Sequence, residues 1–217
     1  MLHHNEFYLH LIRHGQTETN VLPDVLGQEP DSQLTQHGRW QAQMLHDRLI
    51  REDVLFDRAF SSDYDRAKDT ANIVIANKIP IVFAPPLREY DAGDWMHASR
   101  AETHTMPVVL RMAAMTNAFL PPNGESMHMV ERRASQWLEE AILYNKDIQS
   151  YASERITPMN IAVFSHGMTI KCLLHYIMGF DQSFTWRLTI ENTSITKLYF
   201  DDKGWRLITV NDFAHLM

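Results

Sequence analysis

Short runs rich in β-branched and aromatic residues alternate along this chain with stretches of helical period, and this rhythm narrows the fold more than any other feature. Residues 7–12 read as a first strand. Thr35 offers a helix N-cap, after which Trp40, Met44, Leu45 and Leu49 recur at helical spacing. Residues 58–61 form a short strand that runs through a polar turn into a helix over 65–77. A third strand at 81–84 is stopped by Pro85-Pro86. Val130, Ala134, Trp137, Leu138, Ala141 and Ile142 mark one apolar face of a long helix. Residues 161–164 are a compact buried strand, followed by a helix carrying Ile170, Leu173, Leu174 and Ile177. The tail reads as three strands, 185–190, 194–200 and 205–210, the last two joined across Asp201-Asp202-Lys203-Gly204. This order predicts an α/β fold of three layers: a mostly parallel sheet flanked by helices, with an antiparallel C-terminal edge. Residues 91–124 hold Pro107, Pro121, Pro122 and several Met on a broken helical period. They read as a helical, lid-like excursion from a single domain over 1–217.

Such a fold needs a sizeable core, and 217 residues with 45% hydrophobic side chains can build one without staples. Cys172, the lone cysteine, allows neither an intrachain disulfide nor a multi-thiolate metal site, which fits the reducing cytoplasm. Lys and Arg number 20 against 27 Asp and Glu, a net charge of −7, so the overall field favours neither nucleic acid nor an anionic membrane surface. No run approaches the roughly 18 apolar residues of a membrane span. The N-terminus lacks the basic region of an export signal, so the Asn192-Thr193-Ser194 sequon carries no weight. Twelve histidines are not accompanied by a Cys/His cluster at ligand spacing, and neither a metal nor another cofactor is expected. Met106, Met112, Met115, Met127 and Met129 read as core filler, and Cys172 as a small buried packing residue.

The chemistry concentrates at strand ends, where open α/β sheets bind their ligands. Leu11-Ile12-Arg13-His14-Gly15 closes the first strand, with Gly15 letting the backbone turn unhindered. Ser61-Ser62-Asp63-Tyr64-Asp65-Arg66-Ala67 places Arg66 near a helix start after the second, and Val163-Phe164-Ser165-His166-Gly167 ends another. Two guanidiniums and two imidazoles converging on one point make a pocket for a dianion, phosphate above all. The expected partner is a small phosphorylated metabolite. The oligomeric state stays open, a dimer included.

Arg13-His14-Gly15-Gln16-Thr17 with Asn20 is followed by Asp31-Ser32-Gln33-Leu34-Thr35 with Gly38 and Gln41-Ala42. Next come Ser61-Ser62 through Arg66-Ala67 to Thr70-Ala71, then Leu87-Arg88-Glu89 with Gly93 and Trp95. Gly124-Glu125-Ser126, Ser165-His166-Gly167 and Asn211-Asp212 with His215-Leu216 complete the series. In order and spacing these segments resemble the histidine phosphatase superfamily, which includes the cofactor-dependent phosphoglycerate mutases, over most of the chain. The resemblance implies that His14 is a nucleophile forming a phosphohistidine. It implies that Arg13, Arg66 and a protonated His166 bind the phosphoryl oxygens, and that Gln16, Asn20 and the amide of Gly167 complete the cradle. Spacing leaves Glu89 and Glu125 as rival proton donors, and the resemblance favours Glu89. An acid there calls for a raised pKa, which a partly apolar wall from residues 91–124 would supply.

Two departures shape the functional expectation. Many phosphatases of the family carry Glu-Gly where this chain has Met96-His97, and the Tyr-Gly-Gly-rich stretch of the mutases is replaced by Tyr90-Asp91-Ala92-Gly93. The expected activity is a metal-independent phosphatase acting on a phosphate monoester. A phosphoglycerate mutase is the alternative, and a catalytically silent phosphate-ester-binding module is the reading from another class.

Overall fold

The computed structural model describes residues 6–22, 29, 31–181 and 183–217. Its strands are β1 (Phe7–Arg13), β2 (Arg58–Ser61), β3 (Ile81–Phe83), β4 (Met159–Ser165), β5 (Ile195–Asp201) and β6 (Gly204–Asp212). They form a six-stranded sheet in the order β3-β2-β4-β1-β5-β6. The first four in that order run parallel, while β5 and β6 are antiparallel and joined by a tight turn with Gly204 at φ 97°. The expected mixed sheet with an antiparallel edge is the one observed.

Alternation along the strands assigns the helices to two faces. Leu9, Leu11, Phe60, Ile161 and Val163 pack with α4 (Met127–Leu138) and α6 (Gly167–Met178). Ile12, Ala59, Ala162 and Phe164 pack on the opposite side with α1 (Gln36–Arg51) and α2 (Asp65–Ile75). Thr35 caps α1 as expected, its Oγ1 accepting from the Gly38 N–H at 2.9 Å. The buried stripe of α1 is Gln41, Ala42, Leu45 and Leu49, whereas Trp40 lies outside it, stacked on His37. Helix α2 stops at Ile75, two residues short of the expected end, because Ala76 and Asn77 take left-handed conformations. Between β3 and β4 lie α3 (Met106–Met115), α4 and α5 (Lys146–Ser153).

The expected strand at 185–190 is not one. Phe184–Arg187 is a single helical turn, and the Ile190 carbonyl accepts from Arg13 Nη1 at 2.6 Å. The β1 edge that such a strand could have joined is already taken by β5.

The excursion is helical, as expected, with Arg100–Thr103 and α3. Its two ends are pinched together: a Cβ on Gly93 would lie 2.1 Å from the Pro122 carbonyl oxygen, and one on Gly124 2.6 Å from that of Asp91. The Asp94 N–H donates to Pro122 O, and the Glu125 N–H to Asp91 O, each at 2.9 Å. The methionines are not uniform core filler. Met106, Met115 and Met129 are exposed, and only Met127 among the five is buried. Cys172 is buried as expected. Among the described residues no helix is long and apolar enough to cross a membrane.

Candidate active site

The C-terminal ends of β1, β2 and β4 lie side by side, with Arg13 opposite Ser165 and Ser61 opposite Phe164. Here the chain order reverses, since β1 is flanked by β4 on one side and β5 on the other. Just beyond β1, the His14 N–H donates to Ser165 O at 3.1 Å, and the Gly15 N–H to Thr70 Oγ1 at 2.9 Å. Gly15 does not adopt a positive φ. Its missing Cβ matters because Gly38 crosses it, with the Gly38 carbonyl oxygen 2.5 Å from where that Cβ would stand.

His14 is buried, and its Nδ1 lies 2.7 Å from the Gly15 carbonyl oxygen. A carbonyl only accepts, so Nδ1 carries the proton and Nε2 keeps its lone pair. Burial, then Arg66 and Arg13, hold the His14 pKa well below its ordinary value. The His166 ring stands 5.1 Å from that of His14, with its Nε2 hydrogen-bonded to Ser62 Oγ at 2.8 Å. Burial first, then Arg66, His14 and Arg13, push the His166 pKa down as well.

Arg66 is fully buried at the first turn of α2, donating through Nη1 to the Glu29 carbonyl at 2.8 Å. Burial lowers its pKa to about 10, so it stays charged at neutral pH. Among the described residues, Arg66 Nε and Nη2, Arg13 Nε and His166 Nδ1 are buried without a partner. Buried polar atoms are rarely left so. Four orphaned nitrogens on neighbouring cationic or imidazole side chains define a place for an anion with several oxygens.

Arg13, Asn20, Glu89 and Gly167 line a cleft of about 600 Å³. Asn20 Oδ1 accepts from the Thr17 N–H and from Asn192 Nδ2, which also donates to the His14 carbonyl. Gln16 is placed elsewhere: its Oε1 takes the Thr35 hydroxyl and its N–H goes to Gln41 Oε1, so it ties the loop to α1. Arg100 and Lys171 also line the cleft and make no ion pair among the described residues. Sequence reasoning missed both, together with Ser62 and Asn192. Asn192 is the first residue of the discounted sequon, and its position beside β5 was the available signal.

The two rival carboxylates have different surroundings. Glu89 accepts from the Met168 and Thr169 N–H groups at the start of α6, each at 3.2 Å, and from the Tyr90 N–H at 2.9 Å. Donors rather than an apolar wall thus meet this carboxylate. Glu125 does not line the cleft. Both its oxygens are clasped by Arg133 at 2.9 and 2.8 Å, and Arg133 also donates to the carbonyls of Pro86, Arg88 and Glu89. The Arg133–Glu125 pair therefore fixes the backbone that carries Glu89.

His97, one of the departures from the family pattern, stands at φ 65°, a region that favours glycine. Its Nε2 contacts Glu29 Oε1 at 2.6 Å, and the Glu29 carbonyl holds Arg66. The imidazole thus links the excursion to the arginine's anchor.

Burial also lowers His10 and His215 to about 4. Each of these four imidazoles takes a proton near pH 6.5 once unfolded, so below that pH the unfolded chain binds more protons than the folded one. Stability is therefore full above about pH 6.5 and lost as pH falls toward the lower folded values. A fully buried imidazole that stays neutral costs ~1.4 kcal/mol of stability per pH unit below that point. Melting curves between pH 7.5 and 5 should show a steep drop in Tm; a flat profile would mean that the imidazoles protonate without unfolding.

The sequence profile of the histidine phosphatase superfamily (branch 1) matches residues 9–213. The chain is 30% identical over 216 residues to a protein described as probable phosphoglycerate mutase GpmB of Proteus mirabilis (strain HI4320), covering 96% of this chain and 94% of that protein. Among solved structures, a putative alpha-ribazole-5'-P phosphatase from Escherichia coli str. K-12 substr. MG1655 matches with a TM-score of 0.76 at 25% identity, over 95% of this chain and 97% of that one. Bacillus stearothermophilus YhfR gives 0.77 at 27% identity, over 97% and 100%.

Proposed function

Because the chain belongs to the histidine phosphatase superfamily (branch 1), we propose that it hydrolyses a phosphate monoester through a phosphohistidine on His14, without a metal ion. The observation that carries this reading is the set of orphaned nitrogens on Arg13, Arg66 and His166 beside an imidazole whose Nε2 is free.

In the first step Nε2 attacks phosphorus in line, the N–P bond forms, and the bond to the leaving oxygen breaks. Arg13 and Arg66 neutralise the equatorial oxygens, usually the largest contribution in phosphoryl transfer. With the Ser62 hydroxyl donating to Nε2, the neutral His166 ring carries its one proton on Nδ1, free for a phosphoryl oxygen. Burial and the cationic field keep His166 neutral in the free chain; a bound dianion opposes that field, so the second ring proton belongs to the complex, where Nε2–H turns to donate to Ser62 Oγ. Asn20 Nδ2 and the Gly167 amide extend the cradle. Glu89 gives a proton to the leaving oxygen and takes one from water in the second step. Its Oε2 accepts one hydrogen bond, fewer than Oε1, and is the oxygen suited to carry that proton.

The mutase alternative keeps the phosphohistidine and returns the group to a bound acid; the name of the Proteus relative favours it. Against it stands Tyr90-Asp91-Ala92-Gly93 in place of the mutase stretch. Phosphate release from an aryl phosphate, run beside transfer of label between phosphoglycerates, separates the two. Chelator should leave the rate of release unchanged, since guanidiniums supply the positive charge. Vanadate, which adopts a trigonal-bipyramidal geometry, should inhibit strongly. A strict requirement for a divalent ion, or label transfer without release, would overturn the proposal.

A further inference from the structure

Beside the cleft lies a second chamber, of about 490 Å³, whose walls come from the excursion on one side and from Tyr90, Met127, Met168 and Trp186 on the other. Tyr90, Arg100, Met168 and Trp186 line both cavities, so the two spaces adjoin across these side chains. The chamber is predominantly apolar. Trp95 stacks on Phe119 with ring centroids 5.5 Å apart, and Met112, Met127 and Met168 add flexible thioether surface.

What the chamber receives follows from where Glu89 stands. Tyr90 is its neighbour in sequence, and Met168 donates its N–H to the Glu89 carboxylate while its residue walls the chamber. An oxygen placed to take a proton from Glu89 therefore sits at the chamber's mouth, and the group attached to that oxygen extends inward. A polyol there would set most of its hydroxyls against methionine, tryptophan and phenylalanine, with only a few polar side chains such as Arg100 and His104 to replace their lost hydration. An aromatic or branched-alkyl body would gain burial.

Building on the phosphatase reading above, we infer that the substrate is a phosphate monoester of an alcohol with an apolar, aromatic or branched-alkyl body, and that the chamber walled by Trp95, Met112, Phe119 and Met168 selects it. Met112 and Met127 then serve as an adaptable specificity surface.

Binding of phosphonates, which cannot be hydrolysed, tests this without reference to turnover. Calorimetry on the full chain should show 1-naphthylmethylphosphonate binding about 10- to 100-fold tighter than methylphosphonate, the range expected for burying one fused ring system. Ala113→Trp, which fills the chamber, and Val109→Asp, which makes it polar, should each bring that ratio close to one. Circular dichroism melts check that both variants are folded. Equal affinities in the unmodified chain, no measurable binding of the naphthyl compound, or a ratio untouched by both folded variants would overturn the inference. The phosphatase reading fails by a different result, the absence of phosphate release from phenyl phosphate.

Discussion

His14→Ala should lose turnover by at least ~10⁴-fold, the scale seen when a covalent nucleophile is removed, while the chain stays folded. Among the described residues, no other side chain is placed to substitute. The His166 ring is 5.1 Å away, and its Nε2 is engaged with Ser62. The replacement removes a buried imidazole held beside two guanidiniums, so the pocket is not left with a new uncompensated charge. Unmodified enzyme mixed with labelled substrate and quenched should carry label that acid releases and base does not, the signature of a P–N bond. Peptide mapping should place that label at His14. Turnover within tenfold of the unmodified chain, or label on another residue, would remove His14 from the nucleophile's role.

Glu89→Gln should divide substrates by their leaving groups. An alkyl alkoxide is strongly basic and needs a proton to depart, so alkyl phosphates should slow by ~10²–10⁴-fold. A nitrophenolate leaves unaided, and its burst phase should suffer far less. Following the pre-steady-state burst isolates this step from the later attack of water, for which Glu89 is also the proposed base. Glu125→Gln supplies the contrast. Its loss loosens the Arg133 clasp behind Glu89, so any leaving-group dependence should be far weaker than with Glu89→Gln, and it should cost about 1–3 kcal/mol of stability in denaturant titrations. A leaving-group dependence that appears with Glu125→Gln and not with Glu89→Gln would reverse the assignment.

Strand ends proved the most legible part of this molecule. Arg13, His14 and His166 stand at or directly after an apolar β-run and Arg66 five residues beyond one, and it was their convergence on one sheet edge, where open α/β sheets bind ligands, that singled them out. Contacts between distant segments were not legible. Glu125 and Arg133 are eight residues apart, yet their purpose lies in the carbonyls of residues 86–89, and nothing in local pattern points there. Trp40 and Met44 share the helical spacing of Leu45 and Leu49 but lie outside the buried stripe of α1. The neighbouring α2 sets the actual stripe, which takes in Gln41 and Ala42. Residues 185–190 show the remaining ambiguity, since a short apolar run suits a strand and a helical turn equally. Gln16 belongs to the opening motif, but its atoms serve the loop and not the cleft.

The pinched base of the excursion has a consequence for how this architecture acquires new tastes. Gly93 and Gly124 meet back to back, and the stitches across the junction are main-chain hydrogen bonds from Asp94 to Pro122 and from Glu125 to Asp91. Main-chain stitches do not depend on what is threaded between them. Residues 95–120 can therefore drift, lengthen or be exchanged as a cassette, provided the two glycines persist. The machinery at the strand ends, rooted in β1, β2 and β4, would register the change only through Arg100 at the cleft wall and through His97, whose contact with Glu29 reaches the Arg66 anchor. A scaffold so divided lets one phosphoryl-transfer apparatus be fitted to many alcohols, with a socket of two glycines as the point of exchange.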